Sequence, residues 1–209
     1  MKLRVLDLCC GTKSLYGALL EMYGADGFEY ISLDFDPRFR PTHCADIRTW
    51  DYKTALFGQH FDVVFAGPPC TQYSAAKTIG RRDFETADGI VKSCLEIIRY
   101  LQPSRWFLEN PGTGHLHRRA FMADYLPQRH SVCYCRYGTP YKKLTHIWTN
   151  RDDLNLLVCN KATPCEHKRQ SGTHPMTSQN GPRSSHELGG VRKEVAYEIP
   201  IGLMATLFT

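Results

Sequence analysis

Apolar residues fall in two rhythms along this chain, and the alternation between them predicts the fold. Leu3–Cys9 is apolar apart from Arg4 and Asp7 and reads as a buried strand. A Gly11-centred turn follows, then a helix over Ser14–Tyr23 with Leu15, Leu19, Leu20 and Met22 on one side. Tyr30–Leu33 is a second strand, stopped by Asp34-Phe35-Asp36-Pro37, because the residue before a proline is driven toward extended or turn geometry. A short third strand ends near Ala45-Asp46-Ile47, and Phe61–Ala66 is the fourth. A helix over Thr86–Leu101 carries Ile90, Val91, Cys94, Ile97, Ile98 and Leu101 at helical spacing before Pro103 closes it. Trp106-Phe107-Leu108 is a fifth strand. Ser131–Tyr137 and Leu144–Thr149 form a late β-pair joined through Gly138-Thr139-Pro140. Strands alternating with helices predict an α/β fold with a doubly wound, mostly parallel sheet, the late pair adding an antiparallel edge. From Asn150 to Gly190 the pattern dissolves into a polar stretch rich in Gly, Pro, Ser, Thr, Asn and His, too long for a simple connection. No internal repeat is present.

Composition adds bounds. The chain has 209 residues, 42% hydrophobic and 22% charged, an ordinary globular balance that excludes fibrous and disordered classes. Nine cysteines with no secretory pattern ahead of them lead us to expect a reducing, intracellular setting, not secretion. No apolar run approaches the roughly 18 residues of a membrane span. Much of the net charge of +5 sits late, where Lys161, Lys168, Arg169, Arg183, Arg192 and Lys193 face only Glu166 and Glu187. A surface that meets phosphates is basic in this way, and so is a solvated loop.

The candidate chemistry sits at strand ends. Gly67-Pro68-Pro69-Cys70 follows the fourth strand directly, and two prolines fix φ at successive residues and remove two donors, so the strand stops and Cys70 is held in a defined direction. In open α/β sheets ligands gather outside the carboxyl ends of strands. Two readings stand here: a nucleophile facing a cleft, or a small hydrophobe in a tight turn. The first turn, Asp7-Leu8-Cys9-Cys10-Gly11-Thr12-Lys13, lacks the Gly-x-Gly-x-x-Gly pattern that lets a pyrophosphate approach. Asp34 at the end of the second strand could accept from both ribose hydroxyls, and Asp46 after the third from an adenine amino group. Either aspartate alone also reads as a helix cap or solvated turn. In order, the three features suit an adenosine-bearing cofactor without a diphosphate, S-adenosylmethionine. Phe107-Leu108-Glu109-Asn110-Pro111 repeats the arrangement of the Cys70 strand, which puts Glu109 across the same cleft mouth.

These motifs resemble those of the DNA (cytosine-5) methyltransferase family. Asp7-Leu8-Cys9-Cys10-Gly11 is similar to its first motif, Asp34 to its ribose acid, Asp46-Ile47 to its adenine contact, Gly67-Pro68-Pro69-Cys70 to its nucleophile motif and Glu109-Asn110-Pro111 to its Glu-Asn-Val motif. The resemblance implies a Rossmann-like, S-adenosylmethionine-dependent methyltransferase fold. It implies a cofactor site at Asp7, Leu8, Cys9, Gly11, Thr12, Asp34, Phe35, Asp46, Ile47 and Pro68. It also implies attack of Cys70 on cytosine C6, with Glu109 and Asn110 beside it and Glu109 holding and protonating N3. The family extrudes its target base from the duplex. Lys77, Arg81 and Arg82 are placed like the family's mobile loop and would grip substrate phosphates, with Ser74 a further substrate contact; read alone the three basic residues are a solvated turn.

The family's Gln-x-Arg-x-Arg motif falls on Tyr141-Lys142-Lys143-Leu144-Thr145, so Lys143 and Thr145 stand where two arginines would meet the substrate, without the planar guanidinium fork. The expected organisation is a catalytic domain over 1–150, a much reduced recognition-like segment over 151–190, and a C-terminal segment over 191–209 that returns to the core. Cys159, Cys165 and His167, with His174 further on, are candidate zinc ligands for that polar segment, at spacing outside the usual patterns. The expected partner is nucleic acid, DNA over RNA, with no membrane. RNA or a free pyrimidine nucleotide is the alternative substrate. A further alternative is a weakly catalytic binding subunit that relies on a protein partner for target recognition.

Overall fold

The computed structural model describes residues 1–75, 77–176 and 198–209. Its strands are β1 (Leu3–Leu8), β2 (Phe28–Asp34), β3 (His43–Cys44), β4 (Val63–Ala66), β5 (Arg105–Pro111), β6 (Arg129–Cys133) and β7 (Leu144–Thr149). They form a seven-stranded sheet in the order β3-β2-β1-β4-β5-β7-β6. The first five are parallel; β7 runs antiparallel to β5, and β6 antiparallel to β7. The expected doubly wound sheet with an antiparallel late pair is the one observed.

Period two explains why the strands read as unbroken apolar runs. Val5, Val63, Phe65 and Phe107 point to one face, where they meet Leu15, Ala18 and Leu19 of α1 (Ser14–Tyr23) and Leu203, Met204, Leu207 and Phe208 of α5 (Ile201–Phe208). Leu6, Leu8, Val64, Ala66 and Leu108 point to the other, against Val91, Cys94, Ile97 and Ile98 of α3 (Phe84–Leu101). Both faces are covered, so both must be apolar; each fully buried large side chain contributes about 1.5–3 kcal/mol. The Phe107 and Phe208 rings stack at 5.8 Å, fastening α5 to the central strand β5. Two short helices, α2 (Tyr52–Ala55) and α4 (Glu166–Ser171), complete the α-helices among the described residues.

Several boundaries differ from the sequence reading. The third strand, expected to end near Ala45-Asp46-Ile47, is only His43–Cys44, because Asp46 closes a turn there: its carboxylate accepts from Arg48 N at 3.0 Å and its carbonyl from Thr49 N at 3.0 Å. β6 starts earlier, at Arg129, and Tyr134–Tyr137 is a 3-10 turn. There Cys133 N donates to Leu157 O at 2.9 Å instead of to a neighbouring strand. Cys44, at the end of β3, is exposed. The 190/191 boundary, with Arg183, Glu187, Arg192 and Lys193, lies outside the described residues.

Candidate active site

The register sets the geometry. Ala66 of β4 pairs with Leu8 of β1 on one side and Leu108 of β5 on the other. β1, β4 and β5 therefore run out toward one carboxyl edge of the sheet, with Asp7 and Glu109 near the ends of their strands and Cys70 just beyond β4. Asn110 ties two of those exits together: it is fully buried, and its amide donates to Pro68 O at 3.0 Å across 42 residues of sequence. Behind Pro68-Pro69 the chain turns at once, Tyr73 N and Ser74 N both donating to Cys70 O at 2.9 and 2.8 Å. Cys70 itself is half-buried, and none of the nine cysteines, all described, is in a disulfide.

The loop after Cys70 is anchored from below. Tyr73 is buried and donates to Asp88 Oδ1 of α3 at 2.8 Å; Arg119 meets the same carboxylate at 2.7 Å, and its guanidinium lies 4.4 Å from the centre of the Phe84 ring. Lys77 Nζ donates to Gln72 Oε1 at 2.7 Å, while Arg82 donates to Gln72 O at 2.6 Å and to Lys77 O at 2.8 Å. Lys77 and Arg82 thus spend their charge on the loop itself, unlike the phosphate-facing arrangement expected. Irregular backbone leaves carbonyls unpaired, and nearby cations satisfy them. Arg81 alone of the three basic residues is exposed.

Glu109 has partners that the linear sequence did not reveal. Tyr134 donates its hydroxyl to Glu109 Oε1 at 3.0 Å, and Lys143 Nζ stands 3.5 Å from the same oxygen, with Glu109 and Lys143 side chains each only 12% exposed. Lys143 also lies over the Tyr134 ring at 4.5 Å. The buried cation offsets the carboxylate's charge. Burial, with Glu109 adding to it, pushes the Tyr134 hydroxyl well above the usual phenol range, so it stays a donor. Thr145, expected to touch substrate, is fully buried within β7 opposite Pro111 and Val132. Its place one residue along a strand from Leu144 turns it into the sheet. Tyr134 was missed because it reaches Glu109 only through the pairing of β6 with β7; its aromatic, strand-end position was the one available signal.

The β1 turn is an open cradle. Cys9, Gly11 and Lys13 all take left-handed backbone, at φ 60°, 48° and 59°, a conformation worth about 1–3 kcal/mol of strain at a non-glycine residue and concentrated at functional sites. A Cβ at Gly11 would meet nothing within 4 Å. Asp34 caps the turn: its Oδ2 accepts from Gly11 N and its Oδ1 from Asp36 N, each at 2.9 Å. Each oxygen keeps a second lone pair for a ligand hydroxyl. Thr12 is exposed and Leu8 is buried behind the turn, while Phe35 offers a 70% exposed ring beside Asp34. Asp7 is buried and accepts from Tyr30 OH at 2.5 Å; desolvation outweighs that bond and pushes its carboxyl up to about 7. Asp46, expected to meet adenine, is clamped by Arg48 at 2.5 Å, and this side-chain pairing holds its carboxyl below the usual range. Ile47 beside it is buried. The donor and acceptor set fits a nucleoside ligand.

Cys159 and Cys165 come together with Cys135 and His174, and His167 is not part of that group.

A parallel sheet of this order with an antiparallel β7 defines the Rossmann-like methyltransferase class. The C-5 cytosine-specific DNA methylase family model matches residues 4–120, more than half of the chain, and the chain belongs to that family. Its enzymes methylate cytosine at C5 with S-adenosylmethionine. A probable DNA (cytosine-5)-methyltransferase of Frog virus 3 (isolate Goorha) is 29% identical over 225 residues, covering 98% of each chain. Among solved structures, a Spodoptera frugiperda DNMT2 mutant aligns over 78% of this chain with TM-score 0.47 and 15% identity; this chain spans about half of it, 54%. A human methyltransferase 10 domain containing protein aligns over 73% of each chain with TM-score 0.44 and 13% identity. Among the described residues, no helix is long and apolar enough to cross a membrane.

Proposed function

We propose that this enzyme methylates cytosine C5 in DNA through a covalent adduct between Cys70 and C6. The observation that carries the reading is the Asn110–Pro68 hydrogen bond, which locks the Cys70 turn against the strand end bearing Glu109. Cys70 Sγ would add to C6 as Glu109 meets N3 and shares a proton with it, leaving C5 electron-rich. Once C5 has gained the methyl group, a solvent water would take the C5 proton, the electrons of that C–H bond would re-form the C5–C6 double bond, and the C6–S bond would break to regenerate the thiolate. S-adenosylmethionine supplies the methyl group. Asp34 would hold its ribose, Phe35 would lie on its adenine, and the backbone of Cys9–Thr12 would line the rest. Lys143 and Tyr134 would keep Glu109 oriented and its charge balanced while the base is engaged. Arg81 would meet a backbone phosphate; Ser74 would line the base pocket. The family description and the viral relative's name support DNA over other substrates.

The test is to incubate the protein with labelled S-adenosylmethionine and duplex DNA, single-stranded DNA, RNA or dCMP, then digest and assay 5-methylcytosine. Label is expected in DNA, with an adduct on 5-fluorocytosine DNA that Cys70→Ala abolishes. Methylation surviving in Cys70→Ala would overturn the covalent route, and label confined to RNA or dCMP would overturn the substrate.

A further inference from the structure

The group at Cys135, Cys159, Cys165 and His174 lies outside the machinery above, and it converges from separate pieces of chain. Cys135 sits in the 3-10 turn after β6, Cys159 and Cys165 in the irregular segment that follows β7, and His174 just beyond α4. The four ligand atoms all lie within 4.8 Å of one another, and the three cysteines are 5%, 1% and 1% exposed. His174 Nε2 is 3.3 Å from Cys165 Sγ and 3.7 Å from Cys159 Sγ. A tetrahedron with Zn–S of about 2.3 Å and Zn–N of about 2.0–2.1 Å has ligand–ligand edges of roughly 3.5–3.8 Å. The spacing is close to that of a metal site without further movement of the backbone. The backbone N–H of Cys165 donates to Cys159 Sγ at 3.4 Å, holding the two cysteines in one turn. Lys142 and Lys168 place positive charge near His174, offsetting a net negative three-thiolate site.

We propose that Cys135, Cys159, Cys165 and His174 bind one zinc ion tetrahedrally. Four protein ligands leave no open position, so the site is structural. It staples the polar segment 151–176 to the β6–β7 edge. The segment's other ties are spread along it: Leu154 and Leu156 pack on the sheet, Cys133 N donates to Leu157 O at 2.9 Å and Leu157 N to the Tyr137 hydroxyl at 3.1 Å, Arg151 donates to Leu207 O at 3.2 Å, Arg136 donates to Pro164 O at 2.7 Å, and Met176 bridges Tyr141, its N–H donating to Pro140 O at 3.2 Å. The Tyr141 bridge lies two residues from Lys143, the partner of Glu109, so the metal braces the stretch just before β7 that carries Lys143.

The experiment is elemental analysis of the full chain purified without chelator, together with the absorption spectrum of the cobalt(II)-exchanged protein. About one zinc per chain is expected, and a cobalt spectrum with thiolate charge-transfer and intense tetrahedral d–d bands. Cys135→Ser and His174→Ala should lose most of the metal. His174→Cys, which keeps four ligands, and Cys133→Ser, which removes a buried thiol outside the group, should retain it. Removing zinc should lower the thermal midpoint and speed amide exchange across 151–176. Metal-free protein with nine titratable thiols and no tetrahedral cobalt spectrum overturns the proposal. So does a disulfide among these cysteines, or metal retained in both Cys135→Ser and His174→Ala. The wild-type spectrum decides the matter even where a variant does not fold.

Discussion

Tyr134 does its work through one oxygen. Its hydroxyl donates to Glu109 Oε1 while Lys143 approaches that oxygen from over the Tyr134 ring, so the ring is both spacer and donor. Replacing it with phenylalanine keeps the spacer and leaves a buried carboxylate one donor short, a loss of about 1–3 kcal/mol. If that loss falls on the transition state, Tyr134→Phe should lower kcat roughly 10-fold or more, with KM for S-adenosylmethionine unchanged because the proposed cofactor cradle lies on β1 and β2. Steady-state kinetics check this; a change confined to the thermal midpoint would make the residue merely structural. Lys143→Arg differs in kind, since guanidinium over the ring cannot reproduce a compact ammonium at 3.5 Å.

At the scale of elements, the Cys70 loop depends on α3. Asp88 receives the Tyr73 hydroxyl and the Arg119 guanidinium together, so one carboxylate joins the Cys70 turn, the helix and the segment after β5. Asp88→Ala strands a buried phenol and a half-buried cation, and should cost about 2–4 kcal/mol in urea unfolding. Activity should fall further than stability, because Tyr73 N and His115 N both bond within this node: Tyr73 N to Cys70 O, and His115 N to Tyr73 O. The elements that were legible from sequence are those whose cause is local. Leu15 and Leu19 spacing marks α1, Pro68-Pro69 stops β4, and Asp34, Cys70 and Glu109 announce themselves as polar residues at the ends of apolar runs. What was illegible depends on distant pairing. β5 continues through Pro111 because β7 supplies an antiparallel partner as far as Thr145, and Tyr134 meets Glu109 only once β6 has paired with β7. Arg48 closing on Asp46, and Lys77 and Arg82 turning inward, were hidden for a related reason: a sequence shows charges but not which unpaired carbonyl or carboxylate will claim them.

Across the whole molecule, two buried groups set opposing responses to pH. His146 on β7 packs edge-on to His117 and Trp148, and its Nδ1 has no hydrogen-bond partner among the described residues. Burial, reinforced by Arg129 and His117, lowers it from 6.5 to about 4. The folded value lies below the unfolded one, so its stabilisation is full above pH 6.5 and is lost as pH falls toward 4. Asp7 runs the other way. Burial raises it from 3.8 to about 7, so its stabilisation is full below pH 3.8 and is lost as pH rises toward 7. Each window corresponds to about 3–4 kcal/mol at 1.36 kcal/mol per unit, and the two overlap between pH 4 and 6.5, where they largely cancel. Single substitutions should expose them. Relative to wild type, Asp7→Asn should gain stability progressively as pH rises from 4 to 7, whereas His146→Phe should gain it as pH falls from 6.5 to 4. Urea unfolding of the three proteins at intervals across that range, without cofactor, reads the difference directly. Parallel curves for Asp7→Asn and wild type would mean that Tyr30 keeps Asp7 ionised against the cost of burial. Parallel curves for His146→Phe would mean that the imidazole is already charged in the folded protein.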